Sequence, residues 1–341
     1  MADQGSDQCP NTLFDLITGH RVTAVIYVAA QLGICDLLAE GRKGATELAG
    51  LTATHERSLL RLMRTLVALG VCKEAGAGEF ELTEMGTYLV AGSERSLKAW
   101  ALVEGDMLRA AWAQLIESVR SGKTENELAG RGPEQFELMA KSNRAELFNE
   151  GMASITRAVA SAVLAGYDFS GISTLMDVGG GVGELMSAIL KKYPSMRGIV
   201  FDLPHSAEGA RNTLAASGVA DRCEFIGGSF FESVPAGAEA IVMKSIICDW
   251  NDERCVRILQ NCHRVLKPGA RLMVIDRIVP EKLEPTPDHL ATMLMDLNML
   301  RIPGGCERTE SEHRELLAKS GFRMRRVVPT GRYNVIEAVS A

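Results

Sequence analysis

The sequence is most informative first in what it lacks. Residues 1–10 are polar and hold no apolar core of the kind a secretory signal carries. No uninterrupted apolar stretch approaches the ~20 residues of a membrane span. Export and membrane insertion are therefore not expected, and the chain reads as cytoplasmic. Positive charge is in deficit: the net charge is -6, which argues against nucleic acid or an anionic membrane as a partner. The eight cysteines form no C-x-x-C pair, so neither a zinc ribbon nor a redox motif is indicated, and reduced thiols are expected. Cys248, Cys255 and Cys262 fall seven apart, but Asp249-Trp250-Asn251-Asp252 interrupts any single helix through them. There is no internal repeat. What remains is an ordinary globular balance, 46% hydrophobic and 23% charged over 341 residues, enough for two domains or one large one.

The first half reads helical. Leu13-Phe14, Leu16-Ile17, Val25, Val28 and Leu32 recur at helical spacing up to Gly33. Helices over 45–50 and 54–69 are followed by strands over 71–74 and 79–82, turning at Gly76-Ala77-Gly78. Two helices and a hairpin suggest a winged helix. From Arg42 to Gly92, however, six basic residues meet six acidic ones. The unit lacks the basic face that phosphate contacts require, so packing or dimerisation is the better reading than DNA binding. Helices are expected over 97–120 and 133–164, with a polar loop over 121–132 between them.

Near Gly166 the pattern changes to alternating strands and helices. Strands are expected over 174–178, 197–201, 223–226, 240–243 and 271–275, with helices over 183–192, 205–217 and 252–266. This is the rhythm of a doubly wound parallel sheet. Segments 322–328 and 333–339, joined by a short link, must run antiparallel.

Asp177-Val178-Gly179-Gly180-Gly181-Val182-Gly183 follows a strand and opens a helix. Glycines there let the backbone turn and let a ligand approach closely. Asp202 ends the next strand, where a carboxylate can accept the hydroxyls of a ribose. The pattern alone fits either a dinucleotide or S-adenosylmethionine. Glu184 stands where the third glycine of the dinucleotide fingerprint belongs, and an acid there disfavours a pyrophosphate. It tolerates the ammonium of S-adenosylmethionine. The terminal antiparallel pair favours the same choice.

From this point the chain resembles the small-molecule O-methyltransferases that include plant caffeate and bacterial polyketide enzymes. The resemblance lies in Met176-Asp-Val-Gly-Gly-Gly-Val-Gly183, Val200-Phe-Asp-Leu-Pro204, Ile226-Gly-Gly-Ser-Phe-Phe231, Met243-Lys244, Asp249-Trp-Asn-Asp-Glu253, Leu266-Lys-Pro-Gly-Ala-Arg-Leu272, Gly304-Gly-Cys-Glu-Arg-Thr309 and Ser320-Gly-Phe322. It implies an α/β fold: a Rossmann-like methyltransferase sheet with a C-terminal antiparallel hairpin over 165–341, preceded by a helical winged-helix dimerisation domain over 1–164. It implies a homodimer. It places Gly179 and Gly181 under the amino-acid end of the cofactor, Asp202 on its ribose, and Leu203, Ser229, Phe230, Lys244 and Trp250 around the adenine and the wall of the site. Two positions depart from the pattern. Ser229 stands where the family has aspartate, which weakens that contact by removing charge assistance. Cys248 stands where the family has its catalytic histidine. Asp276 and Glu307 match the acids that flank that histidine.

Methyl transfer depends mainly on in-line positioning, with a general base helping where the acceptor is a neutral hydroxyl. A thiol is a poorer base near neutrality than an imidazole. Cys248 is therefore either a base or an inert wall residue, with Asp276 and Glu307 available to orient the acceptor or take its proton. Asp276 as an ordinary cap at a strand end, Glu307 in an ion pair with Arg308, and His289 as a replacement base are open at this point. An apolar acceptor pocket with a few polar anchors is expected from Phe148, Met152, Met295, Asn298 and Met299. The expectation is O-methylation of a planar hydroxylated small molecule. N- or C-methylation, a non-methylating reaction that uses the same cofactor, and a winged-helix regulator are the alternatives.

Overall fold

The computed structural model describes residues 8–76, 78–131, 138, 142 and 144–341. Contacts divide the chain into two compact units: residues 1–112 with 144–155, and residues 113–143 with 156–341.

In the first unit the expected N-terminal helix is two helices, Gln8–Thr18 and His20–Gln31, bent by 41° at Gly19. Glycine is a poor helix former, and the run yields there. The helix Ile34–Ala39 follows a left-handed Gly33. Helices Ala45–Leu51 and Glu56–Ala68 and strands β1 (Lys43–Gly44), β2 (Cys72–Glu74) and β3 (Glu79–Leu82) make the winged-helix unit, with strand order β1-β3-β2. Its core is Ile34, Leu48, Leu59, Met63, Leu66 and Phe80. Of the hairpin turn, Ala77 lies outside the described residues. The helix expected over 97–120 is broken. Lys98–Leu102 passes into a π-helical Val103–Leu108, then Arg109–Trp112. Gly105 lies within this turn, where a Cβ would come within 2.3 Å of the Tyr27 side chain. Among the described residues no single helix is long and apolar enough to cross a membrane.

Leu115–Ser121 belongs to the second unit. The loop expected over 121–132 contains a helix, Glu125–Leu128, closed by a capping box between Thr124 and Glu127. Of the helix expected over 133–164, the part before 144 lies almost wholly outside the described residues; the rest is Ala145–Gly166.

The second unit is built on a seven-stranded sheet. Its strands are β4 (Thr174–Val178), β5 (Arg197–Asp202), β6 (Cys223–Gly227), β7 (Ala240–Lys244), β8 (Arg271–Asp276), β11 (Phe322–Pro329) and β12 (Asn334–Ser340), in the order β11-β12-β8-β7-β4-β5-β6. The five strands from β8 to β6 are parallel; β12 runs antiparallel to β8, and β11 antiparallel to β12. The central strands read as continuous apolar runs because both faces are covered. Helix Asp252–Val265 and Met176, Ile241 and Val274 share one core. Helix Glu184–Lys192 and Leu175, Val200 and Val242 share the other. A separate parallel pair, β9 (Ile278–Val279) with β10 (Arg308–Thr309), ties the segment after β8 to the start of helix Glu310–Lys319.

Candidate active site

The ends of β4, β5, β7 and β8 carry the candidate site residues. After β4 the backbone turns through Gly179 (φ +74°), Gly181 (φ +55°) and Gly183 (φ +79°), all left-handed, which is the conformation that glycine permits. The Gly179 N–H donates to the Phe201 carbonyl at 2.8 Å, which fixes the turn to β5. A Cβ on Gly179 would lie 2.3 Å from Ile246 Cδ1, whereas one on Gly181 would meet nothing within 4 Å. The turn is thus packed on one side and open at Gly181.

Asp202 sits at the end of β5. One of its oxygens accepts from the Gly181 N–H at 2.7 Å and the other from the Leu203 N–H at 2.6 Å. Burial pushes its carboxyl up, and these two amides oppose the shift. The Ser206 hydroxyl also donates weakly to Oδ1 at 3.4 Å, so Oδ2 is the oxygen that keeps a lone pair for a further donor. Phe230 stands beside Gly179, held by Asn261, whose Nδ2 donates to the Phe230 carbonyl at 2.8 Å. Phe230, Phe231 and Trp250 stack edge to face, with Arg254 over the rings of Phe231 and Trp250. Ser229 is half-buried, and its Oγ accepts from the Phe231 N–H at 3.3 Å.

The other side of the site is acidic and starved of partners. Lys244 ends β7 and is buried; its Nζ donates to Ser245 Oγ at 3.1 Å and lies 5.7 Å from the centre of the Tyr333 ring. Ser245 is left-handed (φ +54°), a strained conformation for a residue with a side chain. A single 3₁₀ turn, Ile247–Asp249, presents Cys248, which is buried with its Sγ 3.9 Å from Asp249 Oδ1. Burial, then the charges of Asp276, Asp249 and Glu307, push the Cys248 thiol well above its usual range. Asp276 at the end of β8 is 1% exposed, and neither of its oxygens makes a hydrogen bond; the Ser245 amide and Cys248 thiol lie near it but outside bonding geometry. Desolvation raises its carboxyl to about 7, against the pull of Lys244 and Arg308. Glu307 is also buried, with Oε2 unpartnered, and is pushed up to about 9, first by burial and then by Asp276. Asp177, under the glycine turn, reaches about 7 for the same first reason.

The structure corrects one reading and settles two. Glu307 is not paired with Arg308, which instead binds Asp252 and backbone carbonyls; the Glu307 N–H donates to Asp296 Oδ1 at 2.9 Å. Asp276 is no cap, since its oxygens bond nothing. His289 serves its own loop, its Nδ1 accepting from the Glu284 N–H at 2.9 Å. On helix Pro287–Arg301, Met295 and Asn298 are half-buried and Met299 is buried. Asn298 Oδ1 accepts from Arg301 Nη2 at 2.7 Å. Phe148 and Met152 are half-buried on helix Ala145–Gly166, in the first unit. Sequence reading missed Ser245 and the part played by Arg308. A positive φ at serine leaves no trace in the sequence, and two of the carbonyls that Arg308 binds, those of Ile247 and Trp250, are about sixty residues away.

Residues 112–323 match the model of the O-methyltransferase domain, and residues 14–92 match the O-methyltransferase dimerisation domain. The chain belongs to this O-methyltransferase family. It is 39% identical to the phenazine O-methyltransferase PhzM of Lysobacter antibioticus, over 98% of this chain and 97% of that one. It is 38% identical to the mitomycin biosynthesis 6-O-methyltransferase of Streptomyces lavendulae, over 94% and 91%. Human N-acetylserotonin methyltransferase, solved in complex with S-adenosylmethionine, superposes with a TM-score of 0.90 at 26% identity, covering all of both chains. Two other relatives carry different names: an 8-amino-8-demethylriboflavin N,N-dimethyltransferase of Streptomyces davaonensis (31%, over 91% and 89%) and the aclacinomycin 10-hydroxylase of Streptomyces purpurascens (33%, over 94% and 85%). This O-methyltransferase family member is thus an S-adenosylmethionine-dependent methyltransferase. The residues present suit that cofactor: an open glycine floor at Gly181 and, at Asp202, a carboxylate whose Oδ2 accepts from the Gly181 amide and keeps room for a further donor.

Proposed function

We propose that the enzyme methylates a hydroxyl of a planar, aromatic small molecule, with Asp276 taking the acceptor's proton. S-adenosylmethionine, when bound, supplies an electrophilic methyl on a sulfonium. Gly179 and Gly181 would hold its amino-acid end, Asp202 its ribose, and Leu203, Ser229, Phe230, Lys244 and Trp250 its adenine and the surrounding wall. The observation that carries the acid–base assignment is Asp276: buried, without a hydrogen-bond partner, and beside Cys248 at the position of the family's histidine. A carboxylate raised to about 7 is matched to proton transfer near neutrality. Glu307, raised to about 9, stays protonated and can donate to the acceptor's oxygen. Cys248, pushed up by burial, stays a neutral thiol and lines the site without becoming a competing nucleophile for the methyl. Within the second unit, Met295, Asn298 and Met299 would line the acceptor.

The same reading divides the chain at 164/165 and makes it a cytoplasmic homodimer. Leu13, Phe14, Leu16 and Ile17 are each more than half exposed, an apolar surface that a second copy would cover.

The experiment is incubation with methyl-labelled S-adenosylmethionine and a panel of hydroxylated and aminated aromatics, with product mass and label position read out. Label on oxygen supports the proposal; label on nitrogen replaces it with N-methylation. A second reading is a reaction that consumes the acceptor without transferring the methyl. The absent histidine and the hydroxylase among the relatives favour it. Consumption of the acceptor to a product that carries no label would establish it.

A further inference from the structure

We infer that Arg308 is a positioning residue: its guanidinium holds the Ile247–Asp249 turn, and with it Cys248 and Trp250, in place against the buried acids. This rests on the reading of that turn as the acceptor side of the site.

Arg308 is 2% exposed and makes five hydrogen bonds, matching the five N–H donors of a guanidinium. Nη1 donates to the Ile247 carbonyl at 2.8 Å and to the Cys306 carbonyl at 3.3 Å. Nη2 donates to the Trp250 carbonyl and to Asp252 Oδ1, each at 2.8 Å, and Nε reaches the same Asp252 oxygen at 3.1 Å. The two turn carbonyls belong to the residues on either side of Cys248 and Asp249. One rigid fork therefore grips both ends of a two-residue span. The Cys255 thiol donates to the same two carbonyls, at 3.2 and 3.3 Å.

The base of the fork is itself fixed. Arg308 pairs with Ile278 in the β9–β10 ladder, two residues beyond Asp276, and Thr309 closes a capping box on the next helix. Just upstream, a Cβ on Gly305 would fall 2.1 Å from the Cys248 carbonyl oxygen, so this segment lies directly against the turn. The segment 305–309 thus sets the separation between Cys248 and Asp276. The ion pair is the lesser part, because the Asp252 side chain is 71% exposed.

Arg308 also acts through charge. Asp276 faces Lys244 from β7, Cys248 and Asp249 from the turn, and Glu307, Arg308 and its neighbour Arg277 from the β9–β10 side. Of these, Lys244 and Arg308 pull its carboxyl down. Loss of the Arg308 charge must raise it further.

The test uses the full chain with S-adenosylmethionine bound, in Arg308→Lys, Arg308→Gln and Asp252→Asn. Amide exchange over 247–250 is read by mass spectrometry, cofactor affinity by calorimetry, and methyl transfer with the acceptor found in the panel. Lysine keeps the charge but cannot span both carbonyls. The Lys variant should exchange about tenfold faster over 247–250, with β4 and β5 unchanged, and lose about 10- to 100-fold in kcat, as misplacement of a positioned group does. Cofactor affinity should fall by less than kcat does, since of the residues assigned to the cofactor the fork touches Trp250 alone. The Gln variant should add an upward shift of the acid limb of the kcat/KM profile. Asp252→Asn should resemble wild type in exchange. Unchanged exchange in the Lys variant, or faster exchange spread evenly over the sheet, overturns the proposal. If wild type methylates no acceptor, the function reading fails, and the exchange data still decide the role of Arg308. If the Gln variant does not fold, the Lys and Asn variants decide it.

Discussion

The two halves of the site are prepared differently. On the β5 side the Asp202 carboxylate is already bonded to the Gly181 and Leu203 amides, and the glycine turn is tied to Phe201. On the β8 side Asp276 and Glu307 are buried with oxygens that bond nothing. The first has its carboxylate tied to two backbone amides. The second is costly until donors arrive, because an unpaired buried carboxyl keeps its desolvation penalty. On the proposed reading, cofactor recognition is built into the backbone, and acceptor chemistry is held in a few destabilised side chains.

The contrast can be broken most sharply at Asp276. Replacement by Asn should lower kcat by about 10²–10³, leave calorimetric cofactor affinity unchanged, and remove the acid limb near pH 7; an intact limb would move the base elsewhere. Asp202→Ala should do the converse and weaken S-adenosylmethionine binding by about 10², the loss of charge-assisted contacts to the ribose, with NAD as a control that binds neither protein. Retained affinity would mean that the β5 side does not hold the ribose.

Ser229→Asp restores charge assistance to the adenine contact and should tighten cofactor binding by about three- to tenfold. Tighter binding without faster turnover would keep the two sides separate; an equal gain in kcat would blur them.

Glu307→Gln tests the cost of the acidic side. Burial raises the folded-state carboxyl from 4.5 to about 9, so the native protein takes up a proton that the unfolded chain releases. Its stabilising contribution is complete below pH 4 and is lost as pH rises towards 9. The Gln variant should therefore melt a few degrees higher than wild type at pH 8.5 and close to it at pH 5. The opposite trend would indicate a hidden cationic partner. Cys248→Ala should have the smallest effect, a change in kcat within about threefold, because a neutral thiol has little proton-accepting power; a large loss would restore Cys248 as the base.

Much of this was legible in the sequence because it follows from local rules. The strands of the second unit are covered on both faces and appear as apolar runs such as Thr174–Val178. The glycine turn and Asp202 stand at fixed distances from them. Lys244 and Asp276 were visible as candidates, but that Lys244 is buried and Asp276 unpartnered depends on what the fold brings around them. The fork of Arg308 was invisible because main-chain carbonyls have no sequence signature. The bend at Gly19 and the π-helical turn against Tyr27 were lost because periodicity continues across both. The helix at Glu125–Leu128 had a plain signal in Thr124 and Glu127, obscured by the polarity of its surroundings.

The pairing of β8 bears on how the site comes into being during synthesis. β8 carries Asp276, and the strand on its outer side is β12, with Asp276 opposite Asn334. β12 is the last of the sheet's strands to be synthesised, well after β4, β5, β7 and β8. Until it docks, β8 is an apolar edge strand, open to pairing with other chains. The glycine floor can therefore take shape on the nascent chain well before the acid at Asp276 is locked in register. Cofactor present during translation would meet its half of the site first.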